Sequence, residues 1–269
     1  MLSKDDIQIR KRMWQSTESA VHAFFRTRGF EEFRTPLLVN SPGMEPNLNP
    51  LEVEVNGERA GLITSPEYSM KKLLGAGFEK IYTITPVFRN NESGPHNIPE
   101  FMMLEWYASG SYEDLMNETE DFLQAVLEDD AKWPRYSFAQ AGVDEFGDPH
   151  ISDKRFFVTK YPLQQASLAK ISVDGTYAER FEAFEDGMEL CNGFAELTDP
   201  AEQRRRFEAE QLERQRLGKT VYPIDEELLL ALDKIKSPIY GNALGLDRLV
   251  MLKYGVGEIE DIQLFNQKF

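Results

Sequence analysis

Residues 87–107 read VFRNNESGPHNIPEFMMLEWY, and this stretch decides how the chain folds. It leaves a run of β-forming residues, IYTITPVFRN, breaks into a loop rich in Asn, Gly and Pro, and resumes as EFMMLEWYASG. Two long strands joined in this way form an antiparallel hairpin. The period of two puts Phe101, Met103, Glu105 and Tyr107 on one face of the second strand. A carboxylate on a face otherwise fit for a core needs a cationic partner, because burying an unpaired charge is costly. The other reading is a solvated sheet face with Arg89 in a surface pair. This segment taken alone does not separate the two.

Working outward, residues 5–28 carry Ile9, Met13, Val21, Phe24 and Phe25 at helical spacing and stop at Gly29. FEEFRTPLLV follows as an extended run with Pro36 at its exit, and residues 51–63 read as a hairpin around Asn56-Gly57. Ser65-Pro66-Glu67 predicts a helix start, with a cap, a proline at the first position and an acid in the first turn; the helix runs to Leu74 and ends at Gly75. Residues 112–129 form an amphipathic helix. Residues 131–154, with Trp133-Pro134, Gly142, Gly147 and Asp148-Pro149, read as a surface connection. Asp199-Pro200 with Glu202 starts a helix over 200–217, in which Glu210 and Arg214 stand at i, i+4. Strands and helices follow one another without regular βαβ alternation. The expected class is therefore α+β, an antiparallel or mixed sheet flanked by helices.

The 269 residues, 41% hydrophobic, suffice for one large domain with a sizeable core. Thirty basic residues against 46 acidic ones give a net charge of −16, which argues against binding nucleic acid by broad phosphate neutralisation. The one cysteine, Cys191, excludes an internal disulfide and a thiolate metal site, so a reducing, cytoplasmic setting is expected. His22, His96 and His150 are too scattered for a histidine metal centre. The first residues have no apolar leader core, and no apolar run is long enough for a membrane span.

Three further segments carry chemistry. In GMELCNGFAELTD, Glu189 and Glu196 flank Asn192-Gly193. Two such carboxylates suit Mg²⁺ bound with substrate phosphates, or are two surface acids among 46. In GNALGLDRLVML, Gly241, Ala243 and Gly245 permit close backbone approach, and Arg248 in the following helix is a natural phosphate clamp. The segment lacks the lysine and hydroxyl residue of a P-loop. In TSPEYSMKKLL, Glu67 either faces a ligand or simply complements the helix dipole.

Together and in this order, the segments resemble the catalytic domain of class II aminoacyl-tRNA synthetases. FFRTRGFEEFRTPLL resembles motif 1, VFRNNESGPHNIPEF motif 2 and ALGLDRLVML motif 3. TSPEYSMKKLL, PEFMMLEWY and ELCNGFAELTD are similar to signatures of the lysyl branch. Motif 1 lies within the first 40 residues, which leaves no room before it for that branch's anticodon-binding domain, and Ala243 stands where lysyl-tRNA synthetases usually have glycine. Both features resemble the elongation factor P lysyl/(R)-β-lysyl ligases, stand-alone paralogues of lysyl-tRNA synthetase.

The resemblance implies that ATP and Mg²⁺ activate lysine or (R)-β-lysine, which then passes to a lysine of elongation factor P. A minimal synthetase charging tRNA or another carrier is an alternative, and a silent regulatory paralogue is a second. The resemblance also implies a cytoplasmic homodimer. Arg89 would bind the α-phosphate and Arg248 the γ-phosphate end, with Phe101 on the adenine. Asn90, Asn91, Asn97, Leu190 and Gly245 would complete the ATP site, and Glu189 and Glu196 would carry Mg²⁺. Ser65, Pro66, Glu67, Glu105, Tyr107, Asn192, Glu196 and Ala243 would form the amino-acid pocket. The chain departs from the family at Asn91, where an acid is usual, at Ile98, where an asparagine is usual, and at Ala195, where close relatives carry histidine. Residues 130–156 replace a larger insertion.

Overall fold

The computed structural model describes residues 2–144 and 147–265. Helix α1 (Lys4–Thr27) is closed by a capping box between Ser3 and Asp6. The two-residue strands β1 (Glu31–Glu32) and β2 (Leu38–Val39) follow. The hairpin of β3 (Glu52–Val55) and β4 (Glu58–Leu62) turns through Asn56 at φ 54° and Gly57 at φ 83°, the left-handed pair a two-residue turn requires. After α2 (Glu67–Gly75) comes the long hairpin, β5 (Lys80–Phe88) and β6 (Glu100–Ser109). Helix α3 (Tyr112–Leu127) leads to β7 (Arg135–Ser137), α4 (Phe138–Ala141), β8 (Arg155–Tyr161), β9 (Ala178–Glu185) and β10 (Met188–Ala195). The described chain then adds α5 (Pro200–Arg216), α6 (Glu226–Leu232), β11 (Ile239–Gly245) and α7 (Leu246–Tyr254).

Eight strands form one sheet in the order β1-β5-β6-β11-β10-β9-β8-β7, parallel only in its two outermost pairs. This is the expected mixed sheet with helices. A small sheet, β2-β4-β3, stands apart.

The two faces of β6 divide the labour. Leu104, Trp106 and Ala108 point into the main core with Val21 and Phe25 of α1 and Leu115 and Phe122 of α3. Phe25 stacks on Tyr82 at 4.8 Å, and Trp106 packs against Phe25 and Phe122. Each such side chain contributes about 1.5–3 kcal/mol by burial. With this face covered, the opposite one, bearing Phe101, Met103, Glu105 and Tyr107, lines an open cleft.

Three local expectations change. Pro66 rather than Ser65 holds the N-cap position of α2, without a side-chain cap, and Ser65 lines the cleft instead. Arg214 is 2% exposed and donates to the carbonyls of Glu45 (3.0 Å), Leu48 (3.1 Å) and Thr220 (2.6 Å). Its guanidinium thus fastens the 45–48 loop at the mouth of the cleft. Residues 131–154 are more regular than expected, because β7 pairs with β8 and Ser137 caps α4 in a box with Gln140.

Candidate active site

The cleft has two arms. One, of about 720 Å³, is lined by Ser65, Glu67, Glu105 and Tyr107; the other, of about 370 Å³, by Phe101, Leu190, Gly245 and Arg248. Arg89, Glu189, Asn192 and Ala243 line both and so stand at their junction.

The first arm is acidic. Glu105 is 1% exposed; its Oε1 accepts the Tyr107 hydroxyl at 2.6 Å, while Oε2 has no hydrogen-bond partner among the described residues. Burial pushes the Glu105 carboxyl well above the usual range, with the charge of Glu67 adding to the rise. Glu67 opens α2, and one turn later Lys71 places Nζ 2.6 Å from Glu67 Oε1 and 2.5 Å from Glu196 Oε2. Burial raises both Glu67 and Glu196, the latter to about 8, against the pull of Lys71. Burial also works against the Lys71 ammonium, but the two carboxylates outweigh it and hold its pKa above the ordinary value. Gly241 keeps this arm open, since a Cβ there would collide with the Tyr107 ring and Glu196 Oε1. A pocket with this excess of carboxylate suits a cationic amino acid.

The second arm is built from two arginines and an aromatic ring. Arg89 follows the last residue of β5; its Nε donates to Thr64 O at 3.2 Å, and its guanidinium lies 5.2 Å from the Phe101 ring centre. Burial lowers its pKa, and Glu92 and Glu189 oppose that shift. Arg248 sits in the first turn of α7 and donates to Asn97 Oδ1 (2.6 Å) and the Glu189 carbonyl (2.6 Å). It therefore ties the hairpin loop to β10. Guanidinium groups at two points of one cavity, with an exposed ring face between, suit a nucleotide polyphosphate.

Not every expected residue lines the cleft. Pro66, Asn90, Asn91 and Glu196 do not. The Asn90 amide donates to the Asn49 carbonyl at 2.7 Å, and its side chain accepts from the Asn91 amide at 2.9 Å. Asn91 adopts φ 64°, a left-handed conformation asparagine tolerates. Beyond that turn Glu92 lines the second arm, so an acid is present there despite Asn91. Ile98 is 9% exposed and packs with Val250, Met251 and Ile259, while Asn97 meets Arg248. Ala195 is buried in the main core.

The structure separates Glu189 from Glu196. They lie at opposite ends of one extended strand, roughly 20 Å apart at the usual rise per residue, and Glu196 is engaged by Lys71. These two therefore do not form one metal site. Of the carboxylates that share a cavity with Glu189, Glu182 stands on β9, the strand paired with β10, and feels the charge of Glu189. It accepts the Tyr161 hydroxyl at 2.5 Å and pairs with Arg180. Burial, with the charge of Glu189 adding, pushes it up to about 7. Among the described residues, no group of three or more His, Cys, Asp or Glu is placed to hold a metal alone. Two carboxylates completed by phosphate oxygens are a donor set Mg²⁺ accepts, so Glu182 and Glu189 fit the ion. The signal for Glu182 was the repeated spacing of seven through Glu182, Glu189 and Glu196.

An α+β sheet with a carboxylate arm and a two-arginine arm on one open face defines a synthetase-type site. Residues 2–268 match the family described as tRNA synthetases class II (D, K and N), and the chain belongs to it. Within that class it is 38% identical to the elongation factor P--(R)-beta-lysine ligase of Proteus mirabilis over 299 aligned positions, covering 92% of this chain and 91% of that one. The ligase of the same name from Pectobacterium atrosepticum is 38% identical over 303 positions, 93% of each chain, and that from Edwardsiella ictaluri 37% over 300, 92% of each. These aligned spans exceed the 269 residues of the chain, so the relatives carry stretches it lacks.

Proposed function

We propose that this protein activates lysine or (R)-β-lysine with ATP and transfers the aminoacyl group to a lysine of elongation factor P. The observation that carries the reading is the junction of the two arms at Arg89: an acidic pocket for ammonium groups opens there onto a cavity built for a polyphosphate.

In the first step a carboxylate oxygen of the amino acid attacks the α-phosphorus of ATP, and pyrophosphate leaves. Arg89, at the junction, stabilises the charge that builds on the α-phosphate. Arg248 holds the pyrophosphate end, and Phe101 stacks on the adenine. Glu182 and Glu189 would hold Mg²⁺, which supplies charge neutralisation to the phosphates. Glu67 and Glu105 receive the ammonium groups, Glu196 backs them from behind Gly241, and Ala243 borders the amino acid where the lysyl branch has glycine. In the second step the unprotonated amine of the acceptor attacks the carbonyl carbon, AMP leaves, and the nitrogen loses a proton to solvent. Fixing both reactants in one cleft supplies most of the advantage.

The net charge of −16 supports a protein acceptor over tRNA. We read the chain as one catalytic domain working in the cytoplasm as a homodimer. The dimer is supported by the motif 1 resemblance and by apolar Ile9 of α1 and Leu38 of β2, both exposed. No described helix is long and apolar enough to cross a membrane. Incubating the protein with ATP, Mg²⁺ and labelled amino acid, then adding elongation factor P or tRNA separately, tests the acceptor. Label on elongation factor P is expected, and label on tRNA alone contradicts it.

A further inference from the structure

The buried ammonium of Lys71 belongs to none of the roles above, yet it touches Glu67 of the acidic arm and Glu196 just behind it. Lys71 is 1% exposed and does not itself line the cleft. It lies beneath it, with Nζ bridging Glu67 of α2 and Glu196 at the end of β10 at 2.6 and 2.5 Å. Its only aromatic neighbour among the described contacts is the Phe194 ring, 5.5 Å away. Glu105 of β6 is near enough to feel this group, and Glu45 from the 45–48 loop acts on Glu67. Three buried carboxyls thus gather around one internal ammonium, and burial raises each of them. An amino acid carrying two ammonium groups brings the positive charge that favours their ionised form.

We propose that Lys71 is a positioning residue that fixes Glu67 and Glu196 from beneath and sets the charge of the pocket for a diamino acid. The inference rests on the amino-acid pocket proposed above. The ammonium on this floor opposes the rise that burial gives both acids, and its two short contacts fix their carboxyl groups in place. Without it both carboxyls are pushed further up, and the substrate must displace a proton more tightly held.

The test compares wild type, Lys71→Met and Lys71→Arg in ATP–pyrophosphate exchange with lysine and (R)-β-lysine, with separate KM values for ATP and amino acid. In Lys71→Met the amino-acid KM is expected to rise by about tenfold or more, since one partner of a buried pair is removed, with ATP KM unchanged. That amino-acid KM is also expected to climb more steeply than the wild type's as pH falls from about 9 to 6, because the carboxyls hold their protons more tightly without the ammonium; loosened packing alone would not steepen it. If Lys71→Met does not fold, Lys71→Arg decides: its larger fork displaces both carboxylates and raises the amino-acid KM alone. An amino-acid KM equal to wild type, or both KM values rising in parallel with no steeper pH dependence, overturns the proposal. Failure of the wild type to exchange with any amino acid sinks the functional reading instead, so the two are distinguishable.

Discussion

Tyr107 donates its hydroxyl to Glu105 Oε1 over 2.6 Å and leaves Oε2 of that buried carboxylate without a hydrogen-bond partner among the described residues. The two residues are neighbours on one face of β6, so the strand itself presents a half-satisfied acid to the cleft. Tyr107→Phe removes the donor and leaves a second buried oxygen unpaired, at a cost of about 1–3 kcal/mol. The expected outcome is a raised KM for lysine at saturating ATP, with ATP KM little changed. Steady-state exchange kinetics check it, and an unchanged lysine KM would remove Glu105 from the ammonium site.

Gly241 faces the same acid arm. In Gly241→Ala the new methyl meets the Tyr107 ring and Glu196. Overpacking of this kind costs about 1–3 kcal/mol, so a lower thermal midpoint and weaker lysine binding are expected together. A variant with wild-type midpoint and KM would show that the arm is roomier than described.

The buried acids also set a pH dependence of stability. Burial pushes Glu196 and Glu210 up to about 8, with Glu45 adding to the rise of Glu210. Ordinary glutamates titrate near pH 4.3, so between roughly pH 4.5 and 8 the folded protein holds more protons than the unfolded chain. Stability therefore falls as pH rises through that window. Lys71, raised rather than lowered, keeps its contribution until strongly alkaline pH. The thermal midpoint of the free protein is expected to be lower at about pH 8 than at about pH 6, and lysine to restore it more at the higher pH. A midpoint that rises from pH 6 to 8 contradicts this.

Glu182 and Glu196 separate two functions that one strand might have shared. Glu182→Gln is expected to raise the Mg²⁺ needed for half-maximal exchange by roughly tenfold, on the scale of disturbed metal ligation. Glu196→Gln is expected to raise the lysine KM and leave the Mg²⁺ requirement alone. Metal titrations of both variants decide, and the opposite pattern would return Glu196 to the metal.

Much of this was legible in the sequence. The period of two through Phe101, Met103, Glu105 and Tyr107 already marked the cleft face, and Arg89 and Arg248 needed only their neighbouring motifs. What stayed hidden depends on register between distant segments. Glu182 meets Glu189 only because β9 and β10 pair antiparallel, with Glu182 opposite Asn192. Glu196 reads like a second metal ligand until Lys71 is brought under it, and Lys71 itself reads as an ordinary i, i+4 helix lysine after Glu67. Ser65 looks like a cap by residue type, but the turn at Pro66 hands the cap position on and turns Ser65 to the cleft.

The central claim is that this cleft makes an aminoacyl-adenylate from a diamino acid. The most direct measurement is ATP–pyrophosphate exchange with lysine, (R)-β-lysine and norleucine, in wild type and Arg89→Ala. The account predicts exchange with one or both diamino acids, little with norleucine, and a loss of about 10²–10³-fold in Arg89→Ala, as for removal of a transition-state donor. No exchange with any of the three amino acids, or exchange that survives Arg89→Ala, would contradict it.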